Sequence, residues 1–148
     1  MAVYTTIADL QKRLDPEVLA GLADDENSPP DLDDPQTQTV LTQAIADGAQ
    51  LIDSYLLGRV ELSDPAVQAA LERINATLAL YYLYRRRYVD DAHNPLSAAR
   101  EAVSAHLQAV ASGAAKLGAD GDEQPELSAS STTADIERAL DTQALTRF

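Results

Sequence analysis

Between residues 41 and 88 the apolar positions fall into two stripes. In the first, Leu41, Ala44, Ile45, Gly48, Leu51, Ile52, Tyr55 and Leu56 recur at steps of three and four, the spacing that gathers side chains on one face of a helix. Gly58 follows, where a left-handed cap costs glycine little, and Arg59 beside it suits the negative end of the helix dipole. The second stripe has a candidate N-cap at Ser63 or Asp64 and Pro65 at the first helical position. It continues through Val67, Ala70, Leu71, Ile74, Leu78, Tyr81 and Tyr82. The short connection over residues 58–65 favours antiparallel packing of the two helices. Gly48 admits two readings: a tolerated glycine costing about 1 kcal/mol against Ala, or a close helix crossing that any larger side chain would block.

The pattern is weaker elsewhere. Thr5 or Thr6 can cap a short helix carrying Ile7, Leu10 and Leu14, and Asp15-Pro16 opens a second with Val18, Leu19 and Leu22 as its apolar face. Residues 24–35 hold six acids and three prolines, which predicts an exposed acidic loop. Asn94-Pro95 breaks the helical pattern. Ala98, Ala99, Ala102, Val103, His106, Leu107 and Val110 then mark another amphipathic helix that fades at Gly113. From residue 118 the chain turns to Gly, Asp, Glu, Ser and Thr with no apolar period, a linker composition, and residues 135–148 recover some Leu and Ile. The predicted class is all-α. A compact helical bundle spans residues 1–117, with two short N-terminal helices, two long antiparallel helices and one more, and a hydrophilic linker with an extended C-terminal arm spans 118–148.

Composition sharpens this in three ways. The 148 residues suffice for one domain with a modest core, rich in Ala and Leu and poor in aromatics, which favours packed helices over sheets. The formal charge of −13, from 24 acidic and 11 basic residues, is opposite to what gripping phosphates requires, although DNA can slide past such a surface. The absence of cysteine excludes disulfides, thiolate metal sites and cysteine nucleophiles. The N-terminus lacks the basic start and apolar run of a signal peptide, and no window approaches the ~20 apolar residues of a membrane span.

A search for chemistry finds none. His93 and His106 lie in different segments without a motif partner, and no HExxH, GxSxG, GxxxxGK[ST] or GxGxxG occurs. The acidic loop fails as an EF-hand because Pro29 and Pro35 stand sixth and twelfth from Asp24, where glycine and glutamate are needed. No catalytic, cofactor-binding or metal-ligating residue is assigned, and the chain is expected not to be an enzyme.

Surface residues are better candidates. Tyr81, Tyr82, Tyr84 and Tyr88 cluster on the second helix with Tyr55 on its partner, as suits either a subunit interface or the end of the monomer's own core. Arg85, Arg86 and Arg87 cover most of one turn, so they cannot all face one partner. They read as a solvated or salt-bridged helix end, or as contacts to an acidic neighbour. Leu145, Arg147 and Phe148, the last being the only Phe, form a candidate anchor for an arm laid into another subunit's groove. The candidate subunit interface is therefore Tyr81, Tyr84, Arg85, Arg86, Tyr88, Leu145, Arg147 and Phe148.

Several of these segments resemble the phage Mu-like head-to-tail connector (head-completion or adaptor) proteins. The resemblance is carried by Tyr4-Thr5-Thr6-Ile7-Ala8-Asp9-Leu10, the run Ala44-Ile45-Ala46-Asp47-Gly48-Ala49-Gln50-Leu51-Ile52-Asp53-Ser54-Tyr55-Leu56-Leu57-Gly58-Arg59, Leu80-Tyr81-Tyr82-Leu83-Tyr84-Arg85 and the closing Ala144-Leu145-Thr146-Arg147-Phe148. It implies an all-helical adaptor forming a ring of twelve copies at the virion neck, between the portal protein and the tail-terminator or tail proteins, made in the host cytoplasm. DNA would pass through the lumen without specific binding, and the acidic charge fits such a channel. Ser28-Pro29-Pro30 departs from the Asp-Gly type of turn in the family, which puts in doubt any ion-binding role carried over from it but not the helical core. A different class of function also fits the pattern, a small acidic helical regulator binding one protein partner through residues 81–88.

Overall fold

The computed structural model describes residues 3–88 and 90–118, which form five α-helices and, among the described residues, no strand. These are α1 (Ile7–Arg13), α2 (Pro16–Ala23), α3 (Pro35–Leu56), α4 (Pro65–Arg87) and α5 (Ser97–Ala111), with a single 3-10 turn at Asp91–His93 before α5. The expected all-α bundle is the one observed. The arm over 118–148, with Leu145, Arg147 and Phe148, lies outside the described residues except for Gly118.

Local chemistry explains where the helices start. Three of them open on the same dipeptide, Asp15-Pro16, Asp34-Pro35 and Asp64-Pro65, in which the Asp carboxylate caps the first free N–H groups and the proline supplies a helical φ. Helix α1 instead uses a capping box: Thr6 Oγ1 accepts from Asp9 N, and the Asp9 carboxylate accepts from Thr6 N. One boundary and one buried face differ from the sequence expectation. Pro35 begins α3, six residues before the apolar stripe, because Asp34 accepts from both Gln36 N and Thr37 N. Val18 is exposed, and α2 buries Leu19, Ala20, Leu22 and Ala23 instead.

The register of α3 on α4 follows from which residues share a core. Leu41, Ala44 and Ile45 from early α3 cluster with Ala76, Ala79, Leu80 and Leu83 from late α4. Ile52 and Leu56 from late α3 cluster with Val67, Ala70, Leu71 and Ile74 from early α4, so the two long helices are antiparallel. The short α1 and α2 close the first cluster through Leu10, Leu19 and Leu22, and α5 closes the second through Val103, Leu107 and Val110. Gly58 sits at φ 74° in the connection, as a left-handed cap requires. Arg59 beside it serves a different helix from the expected one, since its guanidinium donates to Ala111 O at the end of α5 (2.6 Å).

Candidate functional site

The end of the hairpin where α4 finishes carries five of the eight predicted interface residues. The helix places Arg86 and Arg87 against the end of α2, whose last carbonyls have no partner within their own helix. Arg86 Nη1 donates to Leu22 O (3.0 Å) and Ala23 O (3.1 Å), and its Nη2 pairs with the Asp25 carboxylate. Arg87 Nη2 donates to Asp24 O (2.6 Å), while its Nη1 lies 3.0 Å from Asp25 Oδ1. Both guanidinium groups are thus committed to holding α2 and the following loop onto α4.

That loop is not uniformly exposed, contrary to the sequence expectation. The Asp24 side chain is buried and accepts from Asp31 N (2.7 Å), Glu26 N (2.9 Å), Asn27 N (3.0 Å) and Asn27 Nδ2 (2.9 Å). Residues 24–31 therefore wrap around one carboxylate. The backbone N–H groups of Asp31, Asn27 and Glu26 hold that carboxyl far below the usual carboxylate range. Both of its oxygens face N–H donors, so Asp24 is a structural acceptor and is not oriented as a cation ligand. Among the described residues no cluster of three or more His, Cys, Asp or Glu is placed to hold a metal ion.

The tyrosines divide into two pairs. Tyr81 is 3% exposed, and its hydroxyl donates to Asp91 Oδ1 (2.8 Å) in the 3-10 turn. Its ring packs edge-on to Tyr82 with centroids 5.5 Å apart, and the Arg100 guanidinium lies 5.8 Å from its centroid. Burial first, then Asp91, pushes the Tyr81 phenol above its ordinary value. Asn94 completes this corner, donating to Tyr81 O and accepting from Leu96 N. Tyr84 and Tyr88 stack at 6.2 Å on the outside, Tyr84 half-buried against the core and Tyr88 exposed. Arg85 is exposed and lines a shallow groove of about 390 Å³ with Val40, Gln43, Asp47 and Tyr82.

Of the predicted residues the structure brings together Tyr81, Tyr84, Arg85, Arg86 and Tyr88. Tyr81 and Arg86 are engaged inside the subunit, whereas Tyr84, Arg85 and Tyr88 present surface. The two histidines lie apart, His93 exposed beside Asp90 and His106 half-buried on α5. Sequence reasoning missed Asp24, Asp25, Asp91 and Asn94. The Asp-x-x-Asn spacing of residues 24–27, which closes a local turn on a carboxylate, was the available signal for the first. At the opposite end of the hairpin Leu57 and Val3 are 79% and 77% exposed. No helix among the described residues is long and apolar enough to cross a membrane.

Comparison with known proteins adds two findings. The profile of the family described as Bacteriophage Mu, Gp36 matches residues 4–136. A segment of 82 residues is 39% identical to the Mu-like prophage FluMu protein gp36 of Haemophilus influenzae, covering 55% of this chain and 55% of that protein. The match thus spans about half the length of that curated relative.

Proposed function

Because this chain belongs to the bacteriophage Mu Gp36 family, we propose that it is a structural protomer of the virion neck, a connector that assembles as a ring between portal and tail. The observation that carries the reading is the family match across nearly all of the helical body, joined to the head-to-tail connector resemblance in the run from Ala44 to Arg59. That run lies mostly on α3, at the centre of the hairpin scaffold. The formal charge of −13 supports a role next to moving DNA, because a negative surface repels phosphates and leaves the duplex free to slide. In this reading the protein performs no catalysis, and its partners are further copies of itself, the portal and a tail-side protein.

The test is assembly. Purified chain is mixed with the portal of its own phage, and the product is followed by size exclusion with light scattering and by negative-stain imaging. A ring of several copies docked on the portal is the expected result. A chain that stays monomeric with portal present and docks to neither portal nor tail would sink the reading.

A further inference from the structure

We propose that the outer face of α3 is the surface on which a second copy of this chain seats. The inference rests on the ring reading above and names the contact that such a ring would use.

The residues that α3 shows to solvent are chemically unusual for this protein. Besides Pro35 at its start, the exposed positions are Gln36, Thr39, Thr42, Gln43, Gln50 and Ser54, none of them charged over a helix of 22 residues. Two half-buried carboxylates lie within this face and each is hydrogen-bonded, Asp47 accepting from Gln43 Nε2 (2.7 Å) and Asp53 from the Tyr4 hydroxyl (2.5 Å). Gln36, Thr39, Gln43, Ala46 and Gln50 follow one another at steps of three and four, so they form a straight seam along the helix. Shallow grooves of about 390, 280 and 220 Å³ adjoin along it, the first edged by Asp47 and by Arg85 and Arg86 of α4, the last almost purely apolar between Ile7, Ile45, Ala46 and the N-terminal segment.

Charge selects the occupant. Identical subunits of net charge −13 repel one another wherever acidic surfaces meet, and like charges brought together across an interface are strongly unfavourable. A contact between copies is therefore favoured on a surface poor in charge, and the outer face of α3, with two half-buried carboxylates and no other charged residue over 22 positions, is one. Partners of opposite charge have no such preference. The Gln36 and Gln50 amides can donate and accept across the seam, the Thr39 and Thr42 hydroxyls, which donate to Pro35 O and Gln38 O of their own helix, can accept, and Ala46 lets a neighbouring backbone approach.

The absence of cysteine from the chain allows a direct test on the full-length protein. Gln50→Cys and, as a control on α2, Glu17→Cys are each labelled with a thiol reagent in the monomer and in the ring. Gln50→Cys is expected to label in the monomer and to be protected in the ring, while Glu17→Cys labels in both. A second pair of variants keeps the answer independent of labelling. Thr39→Glu/Gln50→Glu should keep the helicity and melting temperature of the parent and lose the ring, and Thr39→Ala/Gln50→Ala should retain it. Equal labelling of Gln50→Cys in both states, or normal rings from the Glu pair, overturns the inference and leaves the connector reading standing. Protection that arises only against the portal, with no contact between copies, also overturns it. Failure of the parent chain to assemble at all strikes the connector reading instead.

Discussion

Gly48 on α3 and Asn75 on α4 meet where the two long helices cross. A Cβ at Gly48 would overlap Asn75 Oδ1 and come within 3.2 Å of Leu78 Cβ. Of the two readings the sequence allowed for this glycine, the close crossing is the one found. Asn75 is fully buried at this point, and neither its Oδ1 nor its Nδ2 has a hydrogen-bond partner. A polar side chain without partners is costly in a core, by about 1–3 kcal/mol, so this crossing is a place of stored disadvantage between two otherwise apolar clusters.

Gly48→Ala is accordingly expected to destabilise the protein. Helix propensity favours alanine by about 1 kcal/mol, but overpacking a filled core costs about 1–3 kcal/mol, and besides Asn75 Oδ1 the added methyl meets Leu78 Cβ at 3.2 Å and Asn75 O at 3.4 Å, atoms that move only with the α4 backbone. The variant should therefore melt lower than the parent. The two positions should also be coupled, with Gly48→Ala costing at least about 0.5 kcal/mol less in an Asn75→Ala background. Urea unfolding of the four proteins in the cycle measures both. A Gly48→Ala protein that is more stable than the parent, or strict additivity, would contradict the crossing described.

The Arg86 clamp makes a prediction about rank. Its salt bridge to Asp25, like the Arg87–Asp25 pair that Asp25→Ala also removes, is one-third to one-half exposed, and such pairs contribute about 0–1 kcal/mol each. Its bonds to Leu22 O and Ala23 O satisfy carbonyls that α2 cannot satisfy itself, and charge-assisted bonds of this kind contribute about 1.5–3 kcal/mol before allowance for exposure. Arg86→Ala should thus cost clearly more than Asp25→Ala, by chemical denaturation at neutral pH. If the two variants are equally destabilised, the carbonyl contacts matter less than the ion pair and the clamp is misread.

How much of this was legible in the sequence depended on the range of the interaction. The hairpin was readable because Leu41 to Leu56 and Val67 to Tyr82 keep helical spacing and the Asp64-Pro65 signal is local. The start of α3 was hidden because Pro35 followed Pro29 and Pro30 in an acidic run, although Asp34-Pro35 repeats the start signal of α2 and α4. Burial of Asp24 ran against the ordinary expectation that a run of acids is solvated. The partners of Arg86 and Arg87 lie more than 60 positions away, beyond any pattern of spacing. Tyr81 and Tyr84 are three residues apart on one helix, yet one is buried and the other half-open, and Tyr81 is the one that meets Asp91 of the 3-10 turn and Arg100 of α5.

Acid should loosen the Asp24 loop in a defined window. A carboxyl held below its ordinary value of about 3.9 stabilises the fold above that pH. Its contribution fades as pH falls from there toward the depressed folded value, since the unfolded chain takes up the proton first. Asp24→Asn should therefore be less stable than the parent at neutral pH, with a difference that shrinks between about pH 4 and 2. Asp9, held near pKa 2 chiefly by the Thr6 hydroxyl and then by Lys12, contributes to the same window in both proteins and drops out of the comparison. Thermal melts of the pair across that range decide it. A difference that stays constant down to pH 2 would mean that the Asp24 carboxylate is not what the loop wraps around.

The opposite limb belongs to Tyr4. Its hydroxyl donates to Asp53 Oδ1 at 2.5 Å and ties residues 3–6 down onto α3, beside the seam proposed for a second copy. Burial first, then the hydrogen bond to Asp53, raises its phenol above the ordinary value. A group whose folded value is raised stabilises the protein fully below its unfolded value of about 10 and loses that contribution as pH climbs above it. Tyr4→Phe should cost about 0.5–1.5 kcal/mol at pH 8, and the gap to the parent should narrow above about pH 10. Burial raises the Tyr81 and Tyr82 phenols as well, but both occur in parent and variant alike, so the narrowing reports Tyr4 alone. Denaturant titrations of the two proteins at pH 8 and again above pH 10 measure it. Equal stability at pH 8, or a gap that persists unchanged into alkali, would show that the N-terminal segment is held by its apolar contacts and not by the Tyr4–Asp53 bond.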